Sequence, residues 1–253
     1  METEFVDVIL PNFNKRKYLE EAIQSVLDQS YKKWKLYIID DCSNDDSIKI
    51  LDKFKDHNNI IIKQLSKNKG PSFCRNLGLR ISSSEYIAFI DSDDYWKKDK
   101  LKDQINFMKK NNYKFTYTDY TPFFQTDDKK KILKPTNIVK EFNLKKFTFN
   151  SSINTTTMIL SRSLVGNLKF KKIKKLEDYL FKCEILKKDF LAHKLNSNSA
   201  FYRILEISRS SNKIKNLFYL WKINRKYLNY NFINNLSSII MITINSLKKY
   251  GLK

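Results

Sequence analysis

The chain has 253 residues, 42% of them hydrophobic and 14% aromatic, enough to bury a core, which excludes disorder throughout. With 4 glycines and 4 prolines, collagen-like and Gly- or Pro-rich architectures are excluded as well. The net charge of +21 is unevenly placed: residues 1–120 carry 21 basic and 19 acidic side chains, residues 121–253 carry 27 and 8.

Residues 5–10 read as a short buried strand ended by Pro11. Leu19, Ala22, Ile23, Val26 and Leu27 then fall at helical spacing, with Asn14 as the predicted N-cap. Residues 36–39 form a second predicted strand, stopping at Asp40-Asp41, and Ser43 caps a helix carrying Ile48, Leu51 and Phe54. A third strand starts at Ile60, and Gly70-Pro71-Ser72 opens a helix with Cys74, Leu77 and Ile81. The fourth strand, residues 85–90, stops at Asp91-Ser92-Asp93-Asp94. Leu101, Ile105 and Met108 mark a further helix, and residues 115–117 a further strand.

This alternation predicts an α/β fold, a mostly parallel Rossmann-like sheet with helices on both faces. Ligands of such sheets sit beyond the carboxyl ends of the strands. Two predicted strands end there in acidic clusters, so Asp40, Asp41 and the Asp91–Asp94 carboxylates should converge on one crevice.

The second half is less regular. Residues 121–150, with a charge run at 127–131, read as a loop excursion, and residues 155–160 as a strand. Residues 176–186 are helical, with Glu177 and Asp178 in the first turn, and residues 190–205 are strand-rich. From Lys213 onward, Leu217, Leu220, Trp221, Leu228, Phe232, Leu236, Ile239 and Ile240 predict one or two amphipathic helices. The expected organisation is one domain over 1–212, with a nucleotide-binding half (1–120) and an acceptor half (121–212), followed by a basic amphipathic tail over 213–253.

Cys42, Cys74 and Cys183 offer neither a disulfide framework nor zinc spacing, which favours a reducing compartment. His57 and His193 stand alone, which speaks against zinc chemistry and a Ser-His-Asp relay. The acidic Met1-Glu2-Thr3-Glu4 start lacks a signal-peptide pattern, and the apolar stretch 232–247 is interrupted by Asn234, Asn235, Ser237 and Ser238. A cytoplasmic protein is expected.

Carboxylates two apart on a tight loop, as in Asp91-x-Asp93, offer oxygens to a hard divalent cation that keeps open positions for phosphate. The competing reading is that Asp93 or Asp94 caps the next helix. The segments FVDVILPNFN (5–14), AIQSVLDQSY (22–31), YIIDDCSND (37–45), GPSFCRNLG (70–78) and YIAFIDSDDYW (86–96) occur in an order that resembles glycosyltransferase family 2. These are inverting enzymes with the GT-A fold, and the resemblance covers roughly residues 5–210.

The resemblance implies that Pro11 and Phe13 lie beside the nucleotide base, with Asn14 and Ser92 also among the nucleotide-sugar contacts. It implies that Asp41 binds the base, that Asp91 lies near the ribose, that Arg75 lies beside the nucleotide, and that Asp93 binds the metal, Mn²⁺ or Mg²⁺. Glu177-Asp178-Tyr179 resembles the family's Glu-Asp motif, whose aspartate, here Asp178, is the general base. Cys42 stands where the family usually has glycine. In Tyr202–Ser208, Leu205 takes the place of a family histidine, which leaves the cation dependent on Asp93 and the diphosphate. Trp96 is read as core, with the floor of an acceptor pocket as the other reading.

The implied reaction is a single displacement. Asp178 takes the proton of the acceptor hydroxyl as its oxygen attacks the anomeric carbon, and the metal stabilises the leaving nucleoside diphosphate. Family frequency points to UDP-hexose or UDP-N-acetylhexosamine as donor, and to a glycan or lipid-linked acceptor in cell-surface polysaccharide or lipooligosaccharide synthesis. The basic second half suits peripheral contact with anionic membrane on its inner face. No helix-turn-helix, RRM or zinc pattern is visible, and no nucleic-acid partner is expected. The alternative is a non-catalytic sugar-nucleotide or anionic-polymer binding protein on the same fold, which turnover would distinguish.

Overall fold

The computed structural model describes residues 4–126, 129–205 and 213–250. Four strands, β1 (Val6–Asn12), β2 (Trp34–Asp40), β3 (Ile60–Gln64) and β4 (Tyr86–Phe89), form a parallel block in the order β3-β2-β1-β4. The helices α1 (Arg16–Leu27), α2 (Ser47–Asp52) and α3 (Pro71–Ile81) link them. Near-continuous apolar runs such as Val8-Ile9-Leu10 and Leu36-Tyr37-Ile38-Ile39 mark strands covered on both faces, and these residues are buried. Gly78 lets α3 approach β1 closely: a Cβ there would lie 2.5 Å from Ile9 Cγ2.

The rest of the chain contributes β5 (Tyr95–Trp96), α4 (Lys100–Asn111), β6 (Phe115–Gln125), β7 (Lys130–Ile132) and β8 (Glu141–Phe142). Next come α5 (Leu144–Asn150), a 3-10 turn at Thr155–Thr157, β9 (Ile159–Ser161), α6 (Arg162–Val165), α7 (Glu177–Leu186) and β10 (Ala192–Arg203). The last two elements are α8 (Lys213–Tyr227) and α9 (Phe232–Tyr250). The sheet continues from β4 through β9, β6 and β10 to β5. β9 runs antiparallel to both β4 and β6, whereas β6 and β10 are parallel. This is the expected α/β fold with a mostly parallel sheet.

Five local expectations are corrected. β1 continues through Pro11 to Asn12, because its pairing with β4 ends at Ile9↔Phe89 and the missing proline N–H is needed by no neighbour there. Asn14 does not cap α1. Its φ of 51° is left-handed, its Oδ1 accepts from Asn44 N and not from the first turn of α1, and Lys15 takes the N-cap position. Ser43 is not a cap either, because its hydroxyl donates to Asp40, and α2 starts after Asp46. Residues 121–150 are not a loop excursion. The buried Tyr120 and Phe123 extend β6 against β10, about 80 residues away in sequence, and that pairing outweighs the local charge run, whose residues 127 and 128 lie outside the described set. Finally, Asn154 accepts from Thr156 N at 2.9 Å and closes a 3-10 turn where residues 155–160 were expected to be all strand.

α8 and α9 pack on the body through Leu220 and Ile223, both in the core, and through the buried Asn224, whose Oδ1 accepts from the Tyr179 hydroxyl at 2.9 Å. Among the described residues, no helix is long and apolar enough to cross a membrane.

Candidate active site

The loops after β1, β2 and β4 meet at the carboxyl end of the sheet. Asp40, at the end of β2, accepts from Asn12 Nδ2 at 2.7 Å and from Ser43 Oγ at 2.6 Å, joining the first two loops. Asn14 completes the joint, donating its N–H to Ser43 Oγ and accepting from Asn44 N, both at 2.9 Å. Lys15 joins the first loop to the third: its Nζ lies 2.7 Å from Asp93 Oδ2. Pro11 is half-buried at the strand end, and the Phe13 ring is 44% exposed, free to meet a planar base.

Asp41 is buried, and each of its oxygens accepts a backbone N–H, from Lys69 at 2.7 Å and Gly70 at 2.8 Å. The contact fixes Gly70, with φ of 85°, at the start of α3. One turn further on, α3 carries Arg75 into the interior. Each carboxylate oxygen retains a second lone pair, so Asp41 can still accept from a base edge.

Arg75 is the hinge of the site. Nη2 donates to Asp91 Oδ1 at 2.7 Å and Nη1 to Glu177 Oε1 at 3.4 Å, and the guanidinium lies 5.4 Å from the Phe170 ring centroid. Burial alone would lower its pKa, but the neighbouring Asp91 and Glu177 raise it, so the charge is permanent. Its Nε is buried and has no hydrogen-bond partner among the described residues. Arg75 therefore ties the acidic loop after β4 to the start of α7, about 100 residues away.

Leu176, in left-handed backbone with φ of 63°, turns the chain into α7. For a leucine that conformation is strained, and strain of this kind gathers at functional positions. Glu177 is buried against Arg75, while the Asp178 side chain is 36% exposed. Asp178 Oδ2 accepts from Lys182 Nζ at 2.9 Å and from Thr155 Oγ1 at 3.2 Å. Burial would raise its pKa, but Lys182, and beyond it Arg75, hold the carboxyl well below the usual range. Lys182 is itself buried and also donates to Ile153 O at 2.8 Å.

Ser92 is buried within the acidic loop. Asp94 caps no helix, since α4 begins after Asp99. It accepts from Thr156 Oγ1 at 2.6 Å and Arg203 N at 3.0 Å, and burial, then Asp93 and Asp91, raise its pKa well above the ordinary carboxylate range. Arg203 supports the loop from beneath, donating through Nε to Asp93 O at 2.8 Å, bonding Glu21 and Gln125, and lying against Tyr18 and Phe123. Trp96 is core, with its indole N–H on Thr156 O at 2.9 Å. Leu205 is half-buried, and Glu206 and Ser208 of the same motif lie outside the described residues. Lys15, Thr156 and Lys182 join the site without having been candidates: Lys15 directly follows Asn14 and Lys182 lies one turn after Asp178, whereas no motif near Thr156 signals it.

Asp91 and Asp93 supply the hard oxygens that Mg²⁺ or Mn²⁺ prefers, at side-chain exposures of 31% and 22%. Among the described residues no group of three or more His, Cys, Asp or Glu could hold a metal by itself. The donor set therefore fits a cation that completes its coordination with ligand phosphate, the usual arrangement for a cation held by one or two carboxylates. A cavity of about 650 Å³ beside α5 and α9 includes none of these residues and takes no part in the site.

Residues 7–169 match the family described as Glycosyl transferase family 2. The chain is 34% identical over 247 residues to the glycosyltransferase TuaG of Bacillus subtilis, covering 96% of each protein. It is 36% identical over 214 residues to the Escherichia coli UDP-Glc:alpha-D-GlcNAc-diphosphoundecaprenol beta-1,3-glucosyltransferase WfaP, covering 85% of this chain and 83% of that one. In fold it is similar to Staphylococcus aureus TarS 1–349 in complex with UDP-GlcNAc, with a TM-score of 0.74 and 22% identity over 96% of this chain and 73% of that one. With strand ends, acidic loop and Glu-Asp helix start assembled as described, the chain belongs to glycosyl transferase family 2 and is a glycosyltransferase.

Proposed function

We propose that this enzyme moves a sugar from a UDP-linked donor to a hydroxyl of a lipid-carried glycan of the bacterial surface, with inversion at the anomeric carbon. The observation that carries the reading is the Asp91–Arg75–Glu177 bridge, which sets an ionised, part-exposed Asp178 at a fixed place relative to the acidic strand end. The donor assignment is supported by TarS, whose structure holds UDP-GlcNAc, and the acceptor by WfaP, whose name specifies a diphosphoundecaprenol-linked sugar.

In this reading Phe13 and Asp41 receive the base, with Pro11 and Asn14 beside them. Asp91, Ser92 and Arg75 border the ribose and diphosphate, and Asp93, with the diphosphate, would hold a divalent cation. Such a cation supplies Lewis-acid stabilisation of the negative charge on the departing diphosphate. Asp178 accepts the proton of the attacking hydroxyl. With its pKa held low it is a weak base, so the proton moves late, once the new C–O bond has made the hydroxyl acidic. Lys182 and Thr155 hold the carboxylate in place throughout. A lipid-carried acceptor places the enzyme peripherally at the membrane surface.

The test is release of nucleoside diphosphate from a panel of UDP- and GDP-sugars, with a polyprenyl-diphosphate-linked sugar as acceptor, with and without Mn²⁺ or Mg²⁺. Acceptor-dependent release from a UDP-sugar is expected. Tight UDP binding with no release from any donor would identify a binding protein instead.

A further inference from the structure

α9 turns a row of its apolar residues away from the body. At 100° per residue, Ile233, Leu236, Ile240, Ile244 and Leu247 form one stripe, and they are 36% to 72% exposed. The opposite face packs on the body and combines polar groups, the buried Asn235 and Ser238 and the part-buried Asn245, with Ile239 and Ile242, which lie against the core. Asn235 Nδ2 donates to Trp221 O at 3.1 Å, Ser238 Oγ to Thr148 O at 2.6 Å, and Asn245 Nδ2 to Phe149 O at 3.2 Å. Asn224 of α8 closes the network, donating to Asn235 Oδ1 at 3.0 Å and Ser238 Oγ at 3.1 Å. Hydrogen bonds to the body thus fix which way the helix faces, and they fix the apolar stripe outward. Phe232, stacked edge-on against Trp221 at 5.4 Å, extends the exposed surface toward α8. An apolar face of this length held toward solvent marks a docking surface.

Charge decides the occupant. Residues 213–250 contain seven Lys and Arg and no Asp or Glu. The lysine-rich segment 169–175 lies beside them: Lys175 Nζ donates to Asn216 Oδ1 at 3.0 Å, and Lys171 Nζ lies 5.4 Å from the Tyr227 ring centroid. A second copy of this chain would bring two such basic surfaces together with no acid between them. An anionic phospholipid surface complements both features, apolar stripe into the acyl boundary and basic flanks onto headgroups. We infer that the outward face of α8 and α9 lies flat on anionic phospholipid and anchors the enzyme there.

The anchor is coupled to the catalytic end of the molecule. Tyr179 of α7, next to Asp178, is hydrogen-bonded to Asn224 of α8, and Lys175 precedes Glu177 by two residues. Membrane attachment through α8 and α9 therefore fixes the height of Asp178 above the bilayer, where a lipid-carried hydroxyl arrives. The inference goes beyond the transfer reading, because binding to lipid needs neither donor nor acceptor and either can fail alone.

The test is co-sedimentation of the full chain with vesicles of phosphatidylglycerol and phosphatidylcholine, or of phosphatidylcholine alone, at low and high salt. Affinity for the anionic vesicles should be at least tenfold higher and fall severalfold at high salt, since each basic residue near such a surface contributes about fivefold. The double variant Ile240→Asp, Ile244→Asp, with UDP affinity retained, should lose at least tenfold. Equal binding by that variant would overturn insertion of the stripe. Absence of binding to phosphatidylglycerol would overturn the inference outright, and sedimentation equilibrium would then report whether a second copy covers the face. Should the variant misfold, brominated phosphatidylglycerol provides the independent reading in the unmodified protein. Trp34 and Trp96 are buried, so quenching must come from Trp221, and its absence in vesicle-bound protein would equally refute the proposal.

Discussion

Lys15 Nζ and Asp93 Oδ2 stand 2.7 Å apart, so the carboxylate assigned to a divalent cation already holds an ammonium from the loop after β1. The two cations compete for one oxygen, and a like charge this close disfavours metal by a large factor at the intermediate dielectric of a half-buried site. Lys15→Ala is expected to raise Mn²⁺ affinity of the donor-free protein about tenfold or more, whereas Asp93→Ala should abolish metal-dependent UDP binding. Calorimetry measures both. If Lys15→Ala leaves Mn²⁺ affinity unchanged, the ion pair does not guard the site.

Glu177 and Asp178 are adjacent but occupy different environments, one buried on Arg75 and the other opening outward. Asp178→Asn should lower turnover by about 10²–10⁴-fold with donor affinity nearly unchanged, the usual contribution of a general base. Because the folded pKa of Asp178 is depressed, its carboxylate is ionised throughout the range above about pH 4, and the acid limb of the rate profile above that pH must come from another group. The stability it contributes is likewise present above the ordinary carboxylate pKa and lost only as pH falls through the lower folded value. Glu177→Gln should instead weaken the bridge to Arg75 and act on donor affinity as well as on rate. Loss of turnover in Glu177→Gln alone would transfer the base role.

Cys42 lies in left-handed backbone with φ of 64°. Glycine adopts this conformation without a Cβ penalty, at the expense of a more mobile unfolded chain. Cys42→Gly should therefore stabilise the fold by a net of about 0.5–1 kcal/mol. Thermal unfolding would register this as a rise of about 1–4 °C. A lower melting temperature would show that the thiol makes a packing contribution larger than the strain.

Lys100 is buried over the Trp96 ring, Nζ 4.2 Å from its centroid, with Gln104 Oε1 at 3.2 Å as acceptor. Burial pushes its pKa down to about 7. The unfolded chain binds this proton up to its ordinary pKa near 10.5 and the folded chain releases it above 7, so stability rises with pH above 7. The slope is at most about 1.4 kcal/mol per pH unit. Above the ordinary thiol pKa of 9.0, the buried Cys74, raised to about 12, acts in the opposite sense. Lys100→Met should flatten the dependence between pH 7 and 9 and raise stability at pH 7. Urea titrations at several pH values check it, and an unaltered slope in the variant would assign the effect elsewhere.

Much of the fold of residues 1–120 was legible because its information is local. Apolar strand runs, the Gly70-Pro71 helix start and acidic residues just past strand ends each follow from a few neighbouring side chains. The positions of Asp91, Asp93 and Asp178 as candidates came from motif order, and their chemistry from residue type. Tertiary contacts decided the rest. Pairing with β10 turned residues 115–125 into one long strand despite the nearby charge run. Arg75 reached Glu177 across 102 residues and tied it to Asp91, and Lys15 found Asp93 across 78. Amphipathic periodicity marked α8 and α9 as helices, but a helical wheel states only that two faces differ. Hydrogen bonds from Asn235 to Trp221 O and from Ser238 and Asn245 to carbonyls of α5 selected the face that packs on the body together with Ile239 and Ile242, and with it the stripe of Ile233, Leu236, Ile240, Ile244 and Leu247 for the outside. The physical reason is range: propensity and periodicity act over one or two turns, whereas a buried polar group takes whatever partner the completed fold brings to it.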